Sequence, residues 1–160
     1  MITIKKMETD DEIRGKAFVH YTAWQEAYRG IVDQRYLDAM TPEKCLLAAQ
    51  KWRDNILVAL DGGRVVGFAG YGACRDGDLI DAGEVFALYT LSEYFGKGVG
   101  KALMDAALTA LCRPTVAVWV LCGNARAIAF YSKYGFRADG KEQTLTLGEP
   151  VRVQRMILER

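Results

Sequence analysis

The sequence predicts a single α/β domain spanning residues 1–160, and three observations carry that prediction. The chain has 160 residues, of which 51% are hydrophobic and 26% charged, a balance typical of one globular core. Apolar residues recur at helical spacing in the first third and alternate with polar ones, as in strands, afterwards. No internal repeat, low-complexity tract or linker divides the chain. These features favour helices packed on one central sheet.

The first third of the chain predicts one strand and three helices. ITIKKM at 2–7 alternates apolar and polar residues, as a half-buried strand does. Thr9 or Asp10 then provides an N-cap for a long helix with acidic residues in its first turn. Two shorter helices are predicted at 33–40 and 42–53.

The remainder mixes strands and helices. Asp61-Gly62-Gly63 separates two alternating runs, 55–60 and 64–72, and this turn sequence predicts a hairpin. Asn124 is an N-cap for a helix that Gly135 closes. The other elements follow from the same spacing rules: strands at 83–91, 115–121, 142–147 and 151–158, and a helix at 98–111.

A glycine-rich loop, YFGKGVGKALM at 94–104, lies between a predicted strand and a predicted helix. Such a loop allows backbone N–H groups to approach a phosphate at a helix N-terminus. A dinucleotide-binding loop needs the spacing GxGxxG, whereas the glycines here are spaced GxGxG. A Walker loop needs Ser or Thr after Gly-Lys, but Ala102 follows Lys101. A third candidate for the phosphate ligand is an acyl-coenzyme A.

Two stretches, ALYTLSEYFGKGVGKALMDAAL at 87–108 and GNARAIAFYSKYGF at 123–136, resemble the GCN5-related N-acetyltransferase (GNAT) superfamily. The resemblance covers nearly the whole chain. It implies a mixed, mostly antiparallel sheet of about six or seven strands flanked by about four or five helices. It also implies a splayed strand pair at the cofactor site, and transfer of an acetyl group from acetyl-CoA to a primary amine by direct attack. No metal is implied.

The resemblance also places the cofactor contacts, position by position. The family loop has the form Q/R-x-x-G-x-G/A, so Phe95 stands where the family has Gln or Arg. Asn124 matches the family residue that contacts the pantetheine arm or a bridging water, and Tyr131 matches its usual general acid. The residues expected at acetyl-CoA are therefore Leu88, Tyr89, Thr90, Phe95, Gly96, Lys97, Gly98, Val99, Gly100, Lys101, Asn124 and Tyr131.

Acetyl transfer to an amine needs a proton acceptor, an oxyanion site and a leaving-group partner. The resemblance assigns the oxyanion and pantetheine contacts to the backbone N–H groups of Leu88 and Thr90. Tyr131 is the expected partner of the departing thiolate, because a phenol is protonated at neutral pH. Glu84 is the expected base, since simple alternation along the strand gives it the same face as Leu88 and Thr90. Asp81 is the alternative base.

The first helix is expected to shape the acceptor site. His20, Trp24 and Tyr28 lie four residues apart on one helical stripe. Such aromatic stripes usually pack in a core. Trp24 and Tyr28, nearest the helix end, are the expected substrate contacts, together with Glu84. A catalytic role for His20 and a role as a core histidine both stay open.

Net charge and cysteine spacing limit the classes of binding partner and the cellular compartment that we expect. A formal net charge of +1 gives no general attraction to nucleic acid or to an anionic membrane. The four cysteines form no CxxC pair, which favours free thiols in a reducing, cytoplasmic compartment. A non-catalytic acyl-CoA sensor and a nucleotide-binding module are the competing functions. The acceptor, the preferred acyl chain and a homodimer all stay open.

Overall fold

The computed structural model describes all residues, 1–160, as one seven-stranded sheet with helices on both faces. The strands have the spatial order β1-β2-β3-β4-β5-β7-β6. In chain order the elements are β1 (Ile2–Lys6), α1 (Asp10–Ala27), α2 (Gln34–Ala39), α3 (Pro42–Lys51), β2 (Ile56–Asp61), β3 (Arg64–Ala73), β4 (Gly83–Thr90), a 3-10 turn (Ser92–Tyr94), α4 (Val99–Leu111), β5 (Thr115–Leu121), α5 (Ala125–Tyr134), β6 (Arg137–Leu147) and β7 (Glu149–Glu159). All strand pairs are antiparallel except β4–β5, which confirms the predicted mixed sheet.

The helix starts follow the predicted capping residues. Thr9 caps α1 and forms a reciprocal capping box with Glu12. Thr41 caps α3, with Pro42 at the first position of the helix. The predicted helix at 42–53 ends two residues early, and the last two strands begin before their predicted starts. None of the helices is long and apolar enough to cross a membrane.

Adjacent residues of β3 show that α1 and α4 cover opposite faces of the sheet. The Phe68 ring lies 4.6 Å from the Nζ of Lys16 in α1. A Cβ placed on Gly67 would instead lie 3.1 Å from Leu103 of α4. The main core lies between these helices and the sheet, and it includes the fully buried side chains of Phe68, Leu103 and Phe136.

A bulge in β4 changes which side chains share a face. Gly70 and Tyr71 of β3 pair with Ala87 and Val85, so Phe86 is the extra residue. A Cβ on Gly83 would lie 3.0 Å from Leu111 of α4, and a Cβ on Gly67 would lie 3.1 Å from Thr90. Gly83 and Thr90 therefore both face α4, although they are seven positions apart and regular alternation would place them on opposite faces.

Candidate active site

The parallel strands β4 and β5 are paired only where they begin. Gly83 pairs with Val116 and Glu84 with Ala117, and no further residues of the two strands are in register. β5 stays paired with β7 and β4 stays paired with β3, so the two strands separate only from each other. The result is a wedge-shaped opening in the sheet between the second halves of β4 and β5. The predicted splayed pair is confirmed.

The hydrogen bonds of β4 determine which N–H groups face this opening. The N–H of Leu91 donates to the carbonyl of Val66, 2.9 Å away, on the β3 side. N–H directions alternate along a strand, so the N–H of Tyr89 also points toward β3. The N–H groups of Leu88 and Thr90 consequently point away from β3, toward the opening. Unpaired backbone donors at a sheet interior are uncommon and need a partner.

The glycine loop follows β4 and ends at the N-terminus of α4. Gly98 is the N-cap with φ 82°, and Gly96 has φ 73°, so both have a left-handed backbone that favours glycine. Ala102 donates the first helical hydrogen bond, to the carbonyl of Gly98 at 3.0 Å. The N–H groups of Val99, Gly100 and Lys101 are therefore left without a partner inside the helix. These donors and the helix dipole favour an anion there.

Gly100 has a different structural role from the two glycines before it. A Cβ at this position would lie 3.3 Å from the ring of Phe130 in α5. The absence of a side chain therefore lets the first turn of α4 pack closely against α5. This contact places the first turn of α4 against the middle of α5.

The charged side chains around the loop have distinct partners. Lys101 forms an ion pair with Asp105, with 2.8 Å between Nζ and Oδ2. The Nζ of Lys97 lies 5.3 Å from the centre of the Tyr94 ring. Phe95 is 37% exposed, and the guanidinium carbon of Arg126 lies 3.3 Å from the centre of its ring. Arg126 has no signal in the sequence, because no spacing pattern pairs it with Phe95.

The two residues expected from α5 lie at its start and on its buried face. The Oδ1 of Asn124 accepts a hydrogen bond from the N–H of Ala127 at 3.2 Å, so this side chain caps the helix. Its amide NH₂ donates to no group of the chain. Tyr131 is 8% exposed and is the buried residue of α5. Burial, and then the nearby Tyr28, raise the pKa of its phenol above the usual value.

Two further tyrosines contact each other beside the opening. The hydroxyls of Tyr28, at the end of α1, and Tyr89, in β4, are 2.9 Å apart and share a hydrogen bond. Trp24 packs edge-on against Tyr28, with ring centres 4.7 Å apart. Burial raises the pKa of both Tyr28 and Tyr89, so these phenols stay protonated at neutral pH. Trp24 and Tyr28 thus pack against the strand that carries the predicted cofactor contacts.

Glu84 lies at the closed end of the β4–β5 pair and has its own partner. Its side chain is 1% exposed and forms an ion pair with Arg75, with 2.7 Å between Nη2 and Oε2. The backbone N–H of Arg75 also donates to Oε1. The expectation that Glu84 shares a face with Leu88 and Thr90 is wrong, because the bulge at Phe86 reverses the alternation between them. Glu84 faces away from α4, whereas Thr90 faces it.

The other two titratable candidates lie apart from the loop. Asp81 is exposed in the β3–β4 connection, where its backbone carbonyl accepts a hydrogen bond from Arg113. His20 packs edge-on against Trp24 and Phe68, and its Nδ1 is buried without a partner. Burial, and then the charge of Lys16, lower the pKa of His20 to about 4. The imidazole is therefore neutral at pH 7, as a core histidine is.

A buried arginine organises the closed end and was not found from the sequence. Arg155 of β7 is 3% exposed, and its guanidinium lies 2.6–3.1 Å from carboxylate oxygens of Asp76, Asp78 and Asp139. The indole N–H of Trp119 donates to Asp76 at 3.0 Å. The available signal was a charged residue at an inward position of an otherwise apolar strand. The four cysteines are free, as predicted.

The sheet is mixed, and its one parallel strand pair opens beside a glycine loop and a helix N-terminus. This combination defines the fold class of the GNAT acetyltransferases. The family model for the acetyltransferase (GNAT) domain matches residues 52–138. An uncharacterized N-acetyltransferase, YuaI, of Bacillus subtilis (strain 168) is 30% identical over 142 residues, which are 84% of this chain and 79% of the relative. The chain belongs to the GNAT acetyltransferase family.

Solved structures show the same fold at lower sequence identity. The PaiA N-acetyltransferase of Thermoplasma acidophilum, crystallised with coenzyme A, superposes with a TM-score of 0.77 at 22% identity, covering 100% of this chain and 99% of that one. YncA of Salmonella typhimurium, a putative acetyltransferase solved with acetyl-CoA, gives a TM-score of 0.71 at 15% identity, covering 99% and 94%. The seven-stranded architecture is therefore the fold of these acetyltransferases.

Proposed function

We propose that this protein transfers an acetyl group from acetyl-CoA to a primary amine by direct attack in a ternary complex. The observation that carries the proposal is the strand opening, where the N–H groups of Leu88 and Thr90 have no strand partner. These donors lie next to a loop whose free N–H groups suit a diphosphate. The two structural relatives described above hold CoA and acetyl-CoA, and family membership supports the same cosubstrate here.

The proposed binding mode follows the direction of β4. The diphosphate lies at the N-terminus of α4, over the N–H groups of residues 96–101. The pantetheine arm runs into the opening along Leu88, Tyr89 and Thr90, and it receives the free amide NH₂ of Asn124. Lys97 adds a mobile positive charge, whereas Lys101 is already paired with Asp105.

In the proposed reaction the neutral amine attacks the thioester carbonyl carbon. A carbon–nitrogen bond forms, and the carbonyl oxygen gains negative charge that a β4 N–H group stabilises. The carbon–sulfur bond then breaks, and the sulfur leaves as a thiolate beside Tyr131. Burial places the pKa of Tyr131 above that of a thiol, which is about 8.5, so a hydrogen bond to sulfur is favoured over complete proton transfer.

The nitrogen must also lose a proton, because an ammonium has no lone pair and a free alkylamine has a pKa of about 10.4. Glu84, with Asp81 as the alternative, stays the predicted acceptor for that proton. The ion pair with Arg75 competes with this role, since it already engages both carboxylate oxygens of Glu84. Trp24 and Tyr28 stay predicted substrate contacts, at the α1 side of the opening.

Calorimetric titration of the purified protein tests the proposal. We expect saturable binding of acetyl-CoA and no binding of ATP or NAD at the same concentration. A panel of primary amines is then screened by the release of free CoA thiol, with each product checked by mass. Binding of acetyl-CoA without turnover on any amine would support the non-catalytic sensor instead. Absence of acetyl-CoA binding would overturn both functions.

A further inference from the structure

We infer that Arg126, held flat on the ring of Phe95, is a phosphate anchor for the cosubstrate. This inference rests on the proposed function, because it assigns one more binding residue to the same site. It concerns the phosphate groups of coenzyme A, which are the diphosphate and the 3′-phosphate.

The first observation is the stacking geometry. The guanidinium carbon of Arg126 lies 3.3 Å from the centre of the Phe95 ring. By comparison, the guanidinium carbon of Arg75 lies 4.6 Å from the centre of the Phe86 ring. A planar guanidinium that stacks on a ring keeps its N–H donors at its edge, where they are free to bind oxygen atoms. The ring therefore fixes the position of the cation without using its hydrogen bonds.

The second observation is that Arg126 has no acidic partner. It is exposed, and it forms no ion pair and no hydrogen bond with any other residue of the chain. Of the two lysines in the loop region, Lys101 is already neutralised by its pair with Asp105 at 2.8 Å. An exposed arginine ordered only by an aromatic ring presents a full positive charge to a ligand.

The third observation is its place next to the glycine loop. Phe95 directly precedes Gly96, and Arg126 is the second residue of α5. The contact between Gly100 and Phe130 packs the first turn of α4 against the middle of α5. The guanidinium of Arg126 therefore borders the same loop whose N–H groups point outward. Two sources of positive potential, the α4 N-terminus and Arg126, converge on one anion site.

The charge of the ligand explains why such an anchor would help. Coenzyme A carries several phosphate charges, whereas the whole protein has a formal net charge of +1. Electrostatic attraction between the protein and coenzyme A must then come from cations placed near the site rather than from the net charge of the protein. With Lys101 paired, Arg126 and Lys97 are the cations left for the phosphates, and only Arg126 is held rigidly over the loop entrance.

The test compares Arg126→Gln with Lys133→Gln, a matched loss of one positive charge farther along the same exposed helix. Calorimetry with CoA should show about 5- to 10-fold weaker binding for R126Q, the range expected for one charge-assisted hydrogen bond at an exposed site. K133Q should bind CoA as the wild type does. The thermal midpoints of both variants should match the wild type, because neither side chain is buried.

Titration with 3′-dephospho-CoA identifies the phosphate. A contact with the 3′-phosphate predicts that R126Q loses affinity for CoA only. A contact with the diphosphate predicts the same loss for both ligands. Equal affinities of R126Q and the wild type for both ligands would overturn the anchor while leaving the proposed function intact. Failure of the wild type to bind CoA would instead overturn the proposed function itself.

Removal of the stacking ring provides a second check. Phe95→Leu should weaken CoA binding by less than R126Q does, because the cation is kept but is no longer held in place. In the F95L background, Arg126→Gln should cost less affinity than in the wild type, since the two residues act as a unit. Strictly additive losses would show that Arg126 acts without Phe95 and would contradict the stacked anchor.

Discussion

The two ends of the β4–β5 pair are built in opposite ways. At the closed end, where Gly83 and Glu84 pair with β5, the carboxylates are matched by buried or stacked arginines. At the open end, around Leu88, Thr90 and the glycine loop, backbone donors and Arg126 have no partner in the chain. Polar groups that have hydrogen-bond partners within the chain hold the local structure in place. Polar groups without such partners indicate where a ligand binds. The comparison separates residues that hold the opening in shape from residues that face the cosubstrate.

The largest expected effect belongs to the open end. Tyr131→Phe removes the hydroxyl beside the predicted position of sulfur and leaves the buried ring in place. We expect kcat to fall by about 100-fold or more, as for loss of a hydrogen-bond donor directed at charge that develops in the transition state. Affinity for acetyl-CoA should be unchanged, and both values follow from steady-state kinetics and calorimetry. Wild-type turnover in this variant would remove Tyr131 from the mechanism.

The next effect concerns stability at the closed end. Arg155→Met leaves Asp76, Asp78 and Asp139 without their shared cation, and we expect about 2–4 kcal/mol lower unfolding free energy. Lys141→Met is the control, since Lys141 contacts Asp78 at 3.7 Å in an exposed pair worth at most about 1 kcal/mol. Urea unfolding measures the unfolding free energy of both variants. Equal effects would mean that burial of Arg155 adds nothing.

The unfolding free energy of the same variant should depend on pH differently from that of the wild type. The hydrogen bond from Arg155 lowers the pKa of Asp78 from 3.8 to about 2. A carboxylate with a lowered folded-state pKa stabilises the fold above its ordinary pKa, and this stability is lost as pH falls toward the lowered value. The wild type should therefore lose stability between pH 4 and pH 2, and R155M should show less of this loss.

A smaller effect separates backbone strain from ligand binding. Gly98→Ala places a side chain at φ 82°, which costs about 1–2 kcal/mol and reorients the loop N–H groups. Gly140→Ala imposes similar strain at φ 86° in β6, the edge strand of the sheet. Both variants should be destabilised, but only G98A should bind acetyl-CoA more weakly, by about 10-fold. A parallel loss in G140A would point to a global cause.

The smallest expected effect is on turnover by Glu84→Gln. Glutamine keeps an acceptor for Arg75 but cannot take a proton from the amine. Because the ion pair with Arg75 competes with the predicted role as base, we expect kcat to fall by only about fivefold, with a stability loss of about 1–2 kcal/mol. An unchanged kcat, with the acidic limb of the pH profile retained, would remove Glu84 as the base.

Several features of the site were accessible from sequence because they depend on local backbone requirements. Gly96 and Gly98 have left-handed dihedrals that favour glycine, so their spacing alone indicated an unusual loop. Asn124 and Thr9 cap helices through bonds to residues three positions away, which is a short-range rule. The hairpin at Asp61 follows in the same way from two glycines with positive φ.

Other features depended on contacts between distant segments. The pair of Arg126 with Phe95 and that of Arg155 with Asp76 join residues 31 and 79 positions apart, for which no local pattern exists. The face of Glu84 was wrongly expected because one bulge residue, Phe86, reverses the alternation that sequence reasoning assumes. Such a bulge residue cannot be recognised from the sequence of β4 alone, because a bulge is defined by the pairing with the neighbouring strand.

The sequence by itself determined the element order, the glycine loop and the family, because capping, turn chemistry and hydrophobic period act over a few residues. Tertiary structure decided which polar groups are satisfied. It paired Glu84 with Arg75, gathered three aspartates around Arg155, and left the N–H groups of Leu88 and Thr90 open. The physical reason is that hydrogen bonding and burial depend on what the rest of the chain places nearby.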